Sequence, residues 1–403
     1  MALLLGVTSL TIALVLLIPT TVLFVECVAA VLVRQQVGKK LNPRPSIAVL
    51  IPAHNEASGI GITLASLKPQ MAPEDRLVVI ADNCDDGTAA IACEMGANVI
   101  ERFDQERRGK GYALDFGLKA LEANPPEVVI VVDADCTVEL GSIEKIARQA
   151  ITYTRPVQAI YLMTRPAVLG SKDAVSLLAF TVKNWVRPVG LDCLGFPCLL
   201  TGTGMAFPWT VLQKVSLASG NIVEDMKLGL DLAMAGHPPM VCSEARVTGV
   251  LPQQARAAKS QRTRWEHGHL QTLLTQIPRL ITAAVQTRCF DLVAIALDLS
   301  VPPLSLLVIL WLTATILALI AGWLGSTSIP IFIAVLEGIW ILTAILLSWA
   351  RFARQDLPLR TLLSVPLYVL WKIPLYFAFL VKPQTQWVRT ERDTVESPIV
   401  GDR

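Results

Sequence analysis

The sequence predicts an α/β domain with a doubly wound, mostly parallel sheet, joined to α-helical transmembrane segments, and three observations carry that expectation. Short β-branched apolar runs alternate with helical stretches between residues 46 and 135, the pattern of a parallel sheet with crossover helices. Of 403 residues, 53% are hydrophobic and 17% charged, with a mean hydropathy of +0.52; a soluble domain has about 45–50% apolar and about 25% charged residues. The apolar excess is concentrated near the two ends of the chain.

The runs can be taken in order. Ser46–Pro52 (SIAVLIP) is a strand ending in the polar turn His54-Asn55-Glu56, and a helix follows over Ile60–Leu67. Leu77–Ala81 (LVVIA) is a second strand, leading into Asp82-Asn83-Cys84-Asp85-Asp86-Gly87-Thr88, a turn that opens a helix. Val99–Glu101 reads as a third strand, Gly111–Ala123 as an amphipathic helix and Val128–Val132 (VVIVV) as a strand ending in Asp133-Ala134-Asp135. An unbroken run such as VVIVV is what a strand covered on both faces requires.

Ala2 to Val33 is one apolar run with a single charge, Glu26, followed by Arg34, Lys39 and Lys40. It is too long for a signal-peptide core and no basic residue precedes it. The positive-inside bias makes it a span whose following domain is cytoplasmic. Glu26 falls near the inner interface, where helix packing or snorkelling is its expected role. No stretch from Arg34 to Gln286 reaches the about 20 apolar residues a crossing needs. Beyond it, Leu292–Val301 reads as an interfacial or packing helix and Leu304–Leu324 as a span, separated by Pro302 and Pro303. Ile329–Trp349 is another span, and the loop Arg351–Arg360, with three arginines, returns to the cytoplasm. Leu362–Val381 contains Pro366, Lys372 and Pro374 and reads as a broken interfacial segment before a cytoplasmic tail. The expected organisation is a membrane helix at 1–33, a catalytic domain at 34–286, interfacial and transmembrane helices at 287–382, and a tail at 383–403.

Net charge is +2, and no basic run is interleaved with aromatics, so nucleic acid is excluded as a partner. The eight cysteines (27, 84, 93, 136, 193, 198, 242 and 289) include no CxxC pair. They fit reduced thiols of a cytosolic domain, including the neighbours Cys193 and Cys198. His267 and His269, two residues apart, do not share a helix face and are expected as polar surface. Trp185 and Phe196 are expected to pack.

Ligands of a doubly wound sheet bind beyond the carboxyl ends of its strands. Three successive strands end at Glu56, at Asp82 and at the Asp133/Asp135 pair, so all three point into one crevice. Two carboxylates at a strand end suit Mg²⁺ or Mn²⁺ bound together with phosphate oxygens.

An ordered set of short motifs extends this reading: PAHNE at 52–56, ADNCDDGT at 81–88, RGKGYAL at 108–114, DAD at 133–135, TGTGMAF at 201–207, VED at 223–225 and QRTRW at 261–265, a QxxRW match. In that order they resemble the family 2 glycosyltransferases, in the membrane-bound branch that includes cellulose, chitin and hyaluronan synthases. The resemblance runs from about Ile47 to Trp265 and returns in Trp387-Val388-Arg389-Thr390-Glu391-Arg392. It implies a GT-A (Rossmann-like) fold. Ala53, Glu56 and Asp82 would hold the uracil and ribose of a UDP-sugar, with Lys110 a further phosphate contact. Asp133 and Asp135 would take the diphosphate and its Mg²⁺ or Mn²⁺. Glu224 and Asp225 match the family's acidic dyad, with Asp225 the general base. Gln261, Arg264 and Trp265 would lie at the acceptor and diphosphate, and Gly202, Thr203 and Gly204 would line the acceptor side. Val223 precedes the dyad where polymer synthases usually carry Thr, a departure from that branch.

The function expected is an inverting, multi-pass transferase of a bacterial inner (plasma) membrane that moves a sugar from UDP to a lipid or other membrane-proximal acceptor. The competing reading is a processive synthase that polymerises and extrudes a growing glycan. Such an enzyme needs a channel, which three or four spans would complete only as a homo-oligomer or with an export partner. A non-catalytic membrane subunit would have lost the acids, and all of them are present.

Overall fold

The structure, a computed structural model, describes residues 2–32, 42–164, 170–218, 223–250 and 255–381. Its sheet begins with β1 (Ile47–Ala53), α2 (Ile60–Leu67), β2 (Arg76–Asp82), α3 (Thr88–Glu94), β3 (Asn98–Arg102), α4 (Lys110–Leu121) and β4 (Val128–Val131), after the membrane helix α1 (Ala2–Leu32). There follow β5 (Cys136–Val138), α5 (Ser142–Tyr153), β6 (Val157–Thr164), α6 (Ser171–Thr181), a π-helical turn over Val182–Val186, α7 (Arg187–Cys193), β7 (Met205–Pro208), α8 (Trp209–Leu212), α9 (Glu224–Met234) and β8 (Met240–Val250). The long α10 (Ala255–Thr287) and α11 (Phe290–Ser300) lead to α12 (Leu304–Trp323), α13 (Ile329–Ser348) and α14 (Val365–Val381).

The eight strands lie in the order β3-β2-β1-β4-β7-β6-β8-β5. The first four are mutually parallel, while β7 runs antiparallel to both β4 and β6. Side-chain alternation explains why the parallel half is so apolar: Ile47, Val49 and Ile51 of β1 enter one core with Ile60 and Leu64 of α2 and Ile143 of α5. Ala48 and Leu50 enter the opposite core with Leu114 of α4 and Leu228 of α9. Both faces are covered, so no position on β1 or β4 tolerates a charge. The expected strands and helices of this half lie within one or two residues of those observed. The second half was not resolved by periodicity, since β5 and β7 have three and four residues.

Among the described residues four helices are long and apolar enough to cross a membrane: Leu4–Leu32, Leu304–Trp323, Ile329–Ala353 and Leu362–Val381. The last, expected as a broken interfacial segment, is helical through Pro374 and meets the length and composition of a fourth crossing. Leu292–Val301 resolves as packing: α11 buries Leu292, Ile295 and Leu299 against α9 and α10. Trp185 and Phe196 pack on Phe352 and Phe290, with ring centroids 5.1 and 5.8 Å apart. No disulfide joins any of the eight cysteines among the described residues. One expectation is corrected and another is narrowed. His267 and His269 are not polar surface but buried, because α10 is covered by α11 and α14; the Nε2 of His267 lies 3.1 Å from the Leu375 carbonyl. Of the two roles expected for Glu26, packing holds and snorkelling does not: it is buried and receives the Arg187 Nε–H at 2.6 Å. The tail motif at 387–392 and the basic residues at 34, 39 and 40 lie outside the described residues.

Candidate active site

The parallel register sets Ala53 of β1 beside Ala81 of β2, which brings the two strand ends together. Glu56 starts α2: its carbonyl accepts the N–H of Gly59 (3.0 Å) and Ile60 (2.9 Å), and its own N–H donates to Thr88 Oγ1 at 2.8 Å. Asp82 is buried, and its Oδ1 accepts from Arg102 Nη1 at 2.6 Å and from Asn83 Nδ2 at 3.0 Å. Burial raises the Asp82 carboxyl above its ordinary range, and Arg102 offsets that only in part. Arg102 also donates to Asp104 and to the Arg107 carbonyl, so this corner is a closed charge network.

At the end of β4, the Asp133 N–H donates to Thr203 Oγ1 at 3.1 Å. Thr63 of α2 holds the following turn through the Ala134 carbonyl at 2.8 Å. Lys110, the first residue of α4, is ion-paired with Asp133 and donates to the Gly202 carbonyl at 2.6 Å. Burial opposes the Lys110 ammonium, but Asp133, Glu224 and Asp225 outweigh it and the net shift is upward. Gly202 has φ +98°, and a Cβ there would lie 3.1 Å from Asp225 Oδ2; an L side chain would meet both strain and the acid. Behind it, buried Gln158 donates to the Thr203 carbonyl at 2.8 Å and accepts the Thr201 N–H at 2.8 Å. This glutamine, invisible to motif reasoning, fixes the glycine-bearing loop.

The donor set at Asp133 and Asp135 fits a divalent cation. Their carboxylate oxygens and the Cys136 Sγ lie within 4.8 Å of one another. Burial and Asp135 push the Cys136 thiol well up, and a hard cation prefers the two carboxylates' oxygens to sulfur. Burial raises the Asp133 carboxyl, Lys110 lowers it and Asp135 raises it again. Two repelling carboxylates with few other protein ligands are the arrangement Mg²⁺ or Mn²⁺ completes with phosphate and water.

Glu224 and Asp225 open α9, whose cap residue is Val223. Burial, then the neighbouring Asp225 charge, push the Glu224 carboxyl up to about 7. From α10, Gln261, Arg264 and Trp265 face the same space. Among the described residues Gln261 Oε1 and Arg264 Nε are buried without a hydrogen-bond partner, and the Trp265 ring lies 5.8 Å from that of Phe180.

All these groups surround one cavity of about 580 Å³. Of the fourteen residues expected at the site, twelve line it; Thr203 and Gly204 stand behind the wall, Gly204 packed against Val247. The cavity continues past the acids to Leu23 of α1, Leu177 and Phe180 of α6, Pro302, Leu304 of α12 and Tyr368 of α14. Polar residues the sequence did not single out also line it, among them Lys183 and Asn184 on the π-helical turn, and His269, expected as polar surface, lines it too. No spacing signalled them, because a lone lysine among apolar residues carries no motif.

The mixed, mostly parallel sheet with its crossover helices is a domain of the GT-A class. A mannosyltransferase from Pyrobaculum calidifontis, PcManGT, solved in complex with GDP-Man and Mn²⁺, superposes with a TM-score of 0.54 at 17% identity, covering 94% of this chain and 100% of that one. Residues 43–268 match the family model described as glycosyltransferase like family 2, and the chain belongs to that family. The probable glycosyltransferase YdaM of Bacillus subtilis (strain 168) is 24% identical over 281 residues, 63% of this chain and 62% of its own length. A dolichyl-phosphate hexose transferase of Haloferax volcanii is 37% identical over 90 residues, 22% of this chain and 36% of its own.

Proposed function

We propose that this chain is an inverting glycosyltransferase that moves a sugar from UDP to a hydroxyl of a membrane lipid. The observation that carries the reading is the single cavity with an acid cluster at one end and side chains of three membrane helices at the other. A water-soluble acceptor has no use for the second end, whereas a lipid can keep its chain there and offer its headgroup to the acids. The chain would occupy the membrane as the family's bacterial inner-membrane members do, with residues 34–286 on the cytoplasmic side, where nucleotide sugars are made.

In this reading Ala53, Glu56 and Asp82 line the nucleotide end, with Asp82 held in place by Arg102. The acceptor oxygen attacks the anomeric carbon, the bond to the diphosphate oxygen breaks with its electron pair, and the acceptor proton passes to Asp225. Asp225 is chosen over Glu224 by position, against Gly202 and beside Lys110. Glu224, with its carboxyl near 7, matches the working pH of a base and is the alternative. Lys110 and Arg264 face the developing charge on the diphosphate. A divalent cation held by Asp133 and Asp135 would neutralise that charge further. Membranes containing the protein, incubated with radiolabelled UDP-sugars, should yield label that partitions into organic solvent. A long water-soluble polymer would overturn the lipid acceptor in favour of a processive synthase.

A further inference from the structure

Most charges around the cavity have a fixed partner. Lys110 is paired with Asp133, and Arg187 lies between Glu26 and Asp298. Lys183 is different: it lines the cavity, yet among the described residues it makes no ion pair and no hydrogen bond. Its position is set by the π-helical turn Val182–Val186, and such turns inside helices recur at functional sites. One turn before it, Leu177 and Phe180 carry the apolar end of the cavity; across from it Asp225 marks the acid end. Burial and Arg187 push the ammonium down, while Asp225, Asp298 and Glu266 push it up. His269 does not compete as a second charge, since burial, Lys183 and Arg187 hold it neutral. A secluded cation without a partner is costly unless an anion arrives with the ligand. The donor diphosphate already faces Lys110 and Arg264, which leaves Lys183 for the acceptor.

The geometry points to an acceptor lipid with an anionic headgroup, whose phosphate sits on Lys183 between the hydroxyl at Asp225 and the hydrocarbon chain along Leu177, Phe180 and Leu304. This rests on the lipid-acceptor reading above and adds the order of groups along the cavity: hydroxyl, anion, chain. Lys183 is on this view a specificity residue for the acceptor and touches nothing of the donor.

The test is binding by the purified full chain in neutral detergent, with UDP present. The probes are dodecylphosphoglycerol, its uncharged counterpart dodecylglycerol, and chain-free glycerol phosphate. The wild type should bind dodecylphosphoglycerol about 10–100-fold more tightly than dodecylglycerol, the worth of one charge-assisted contact. Lys183→Met should erase that preference and Lys183→Arg retain most of it, with UDP affinity the same in all three proteins as the check on folding. Equal wild-type binding of the two dodecyl compounds, or a preference that survives in Lys183→Met, overturns the anionic headgroup and leaves a neutral lipid acceptor standing. Glycerol phosphate bound as tightly as dodecylphosphoglycerol overturns the proposal together with the lipid reading beneath it.

Discussion

The Asp82 end of the cavity and its α10 wall are built on different principles. Around Asp82 every described charge is answered from within: Arg102 bridges Asp82 and Asp104, Asn83 joins them, and Lys110 ties Asp133 to the Gly202 carbonyl. Along the other wall, among the described residues, Gln261 Oε1, Arg264 Nε and His269 Nε2 are buried without partners, and Lys183 has none on the adjoining turn. The first region is preorganised and rigid before any ligand arrives. The second carries hydrogen-bonding capacity unmet among the described residues and open to a bound molecule. On the reading proposed above, one chain thus holds a closed nucleotide corner next to a wall whose polar groups await a ligand.

Four substitutions break or sharpen that contrast, from the largest effect down. Asp225→Asn keeps shape but cannot take a proton, so transfer should fall about 10²–10⁴-fold with UDP affinity nearly unchanged. Wild-type-like turnover would remove Asp225 from the mechanism and turn attention to Glu224. Asp135→Ala should abolish transfer, and the wild type should stop in excess EDTA; full turnover of the wild type in EDTA refutes a metal role for the pair. Asp82→Asn breaks a buried ion pair, which costs about 3–5 kcal/mol, so both melting temperature and UDP affinity should drop. Lys183→Met removes an unpaired cation and should leave the melting temperature unchanged or higher; if it melts as Asp82→Asn does, the distinction between the two walls fails.

The smallest effect concerns Glu224 and pH. Its folded carboxyl sits at about 7 against an ordinary 4.5, so between those values the native state holds a proton the unfolded chain has lost. Wild-type stability should therefore fall as pH rises from about 4.5 to about 7 and stay level beyond. Glu224→Gln, which does not titrate, should lack that slope, so the gap between the two proteins widens through the same window. Parallel melting curves across pH 4.5–7.5 would contradict the shift.

The division between legible and illegible residues follows the same line. Asp82, Asp133 and Asp135 were visible because a parallel strand announces itself by unbroken β-branched residues and its end is then a place. Glu224, Asp225, Gln261 and Arg264 were visible through the family's motifs and not through periodicity. Arg102 lay one residue beyond the expected third strand, so its pairing with Asp82 escaped notice. Gln158 and Lys183 were invisible for a physical reason: one acts through a loop 43–45 residues away in sequence, the other through a local change of helical pitch. Contacts of that range are set by tertiary packing, which no local pattern encodes. The two histidines were misassigned because spacing along one helix says nothing of how many neighbours cover it.

Arg187 is buried with Glu26 of the first membrane helix on one side and Asp298 of α11 on the other, and a Cβ on Gly190 would overlap the Glu26 carbonyl. Its two partners are separated from it by 161 and 111 residues. During synthesis at about 5–20 residues per second, Arg187 therefore leaves the ribosome with the first span already made but on the order of ten seconds before Asp298 exists. The cavity wall cannot close until both ends of the chain have reached it. The first helix is for this reason a part of the enzyme and not a detachable tether: a version trimmed to begin at the first strand would leave Arg187 facing an empty groove where Glu26 belongs.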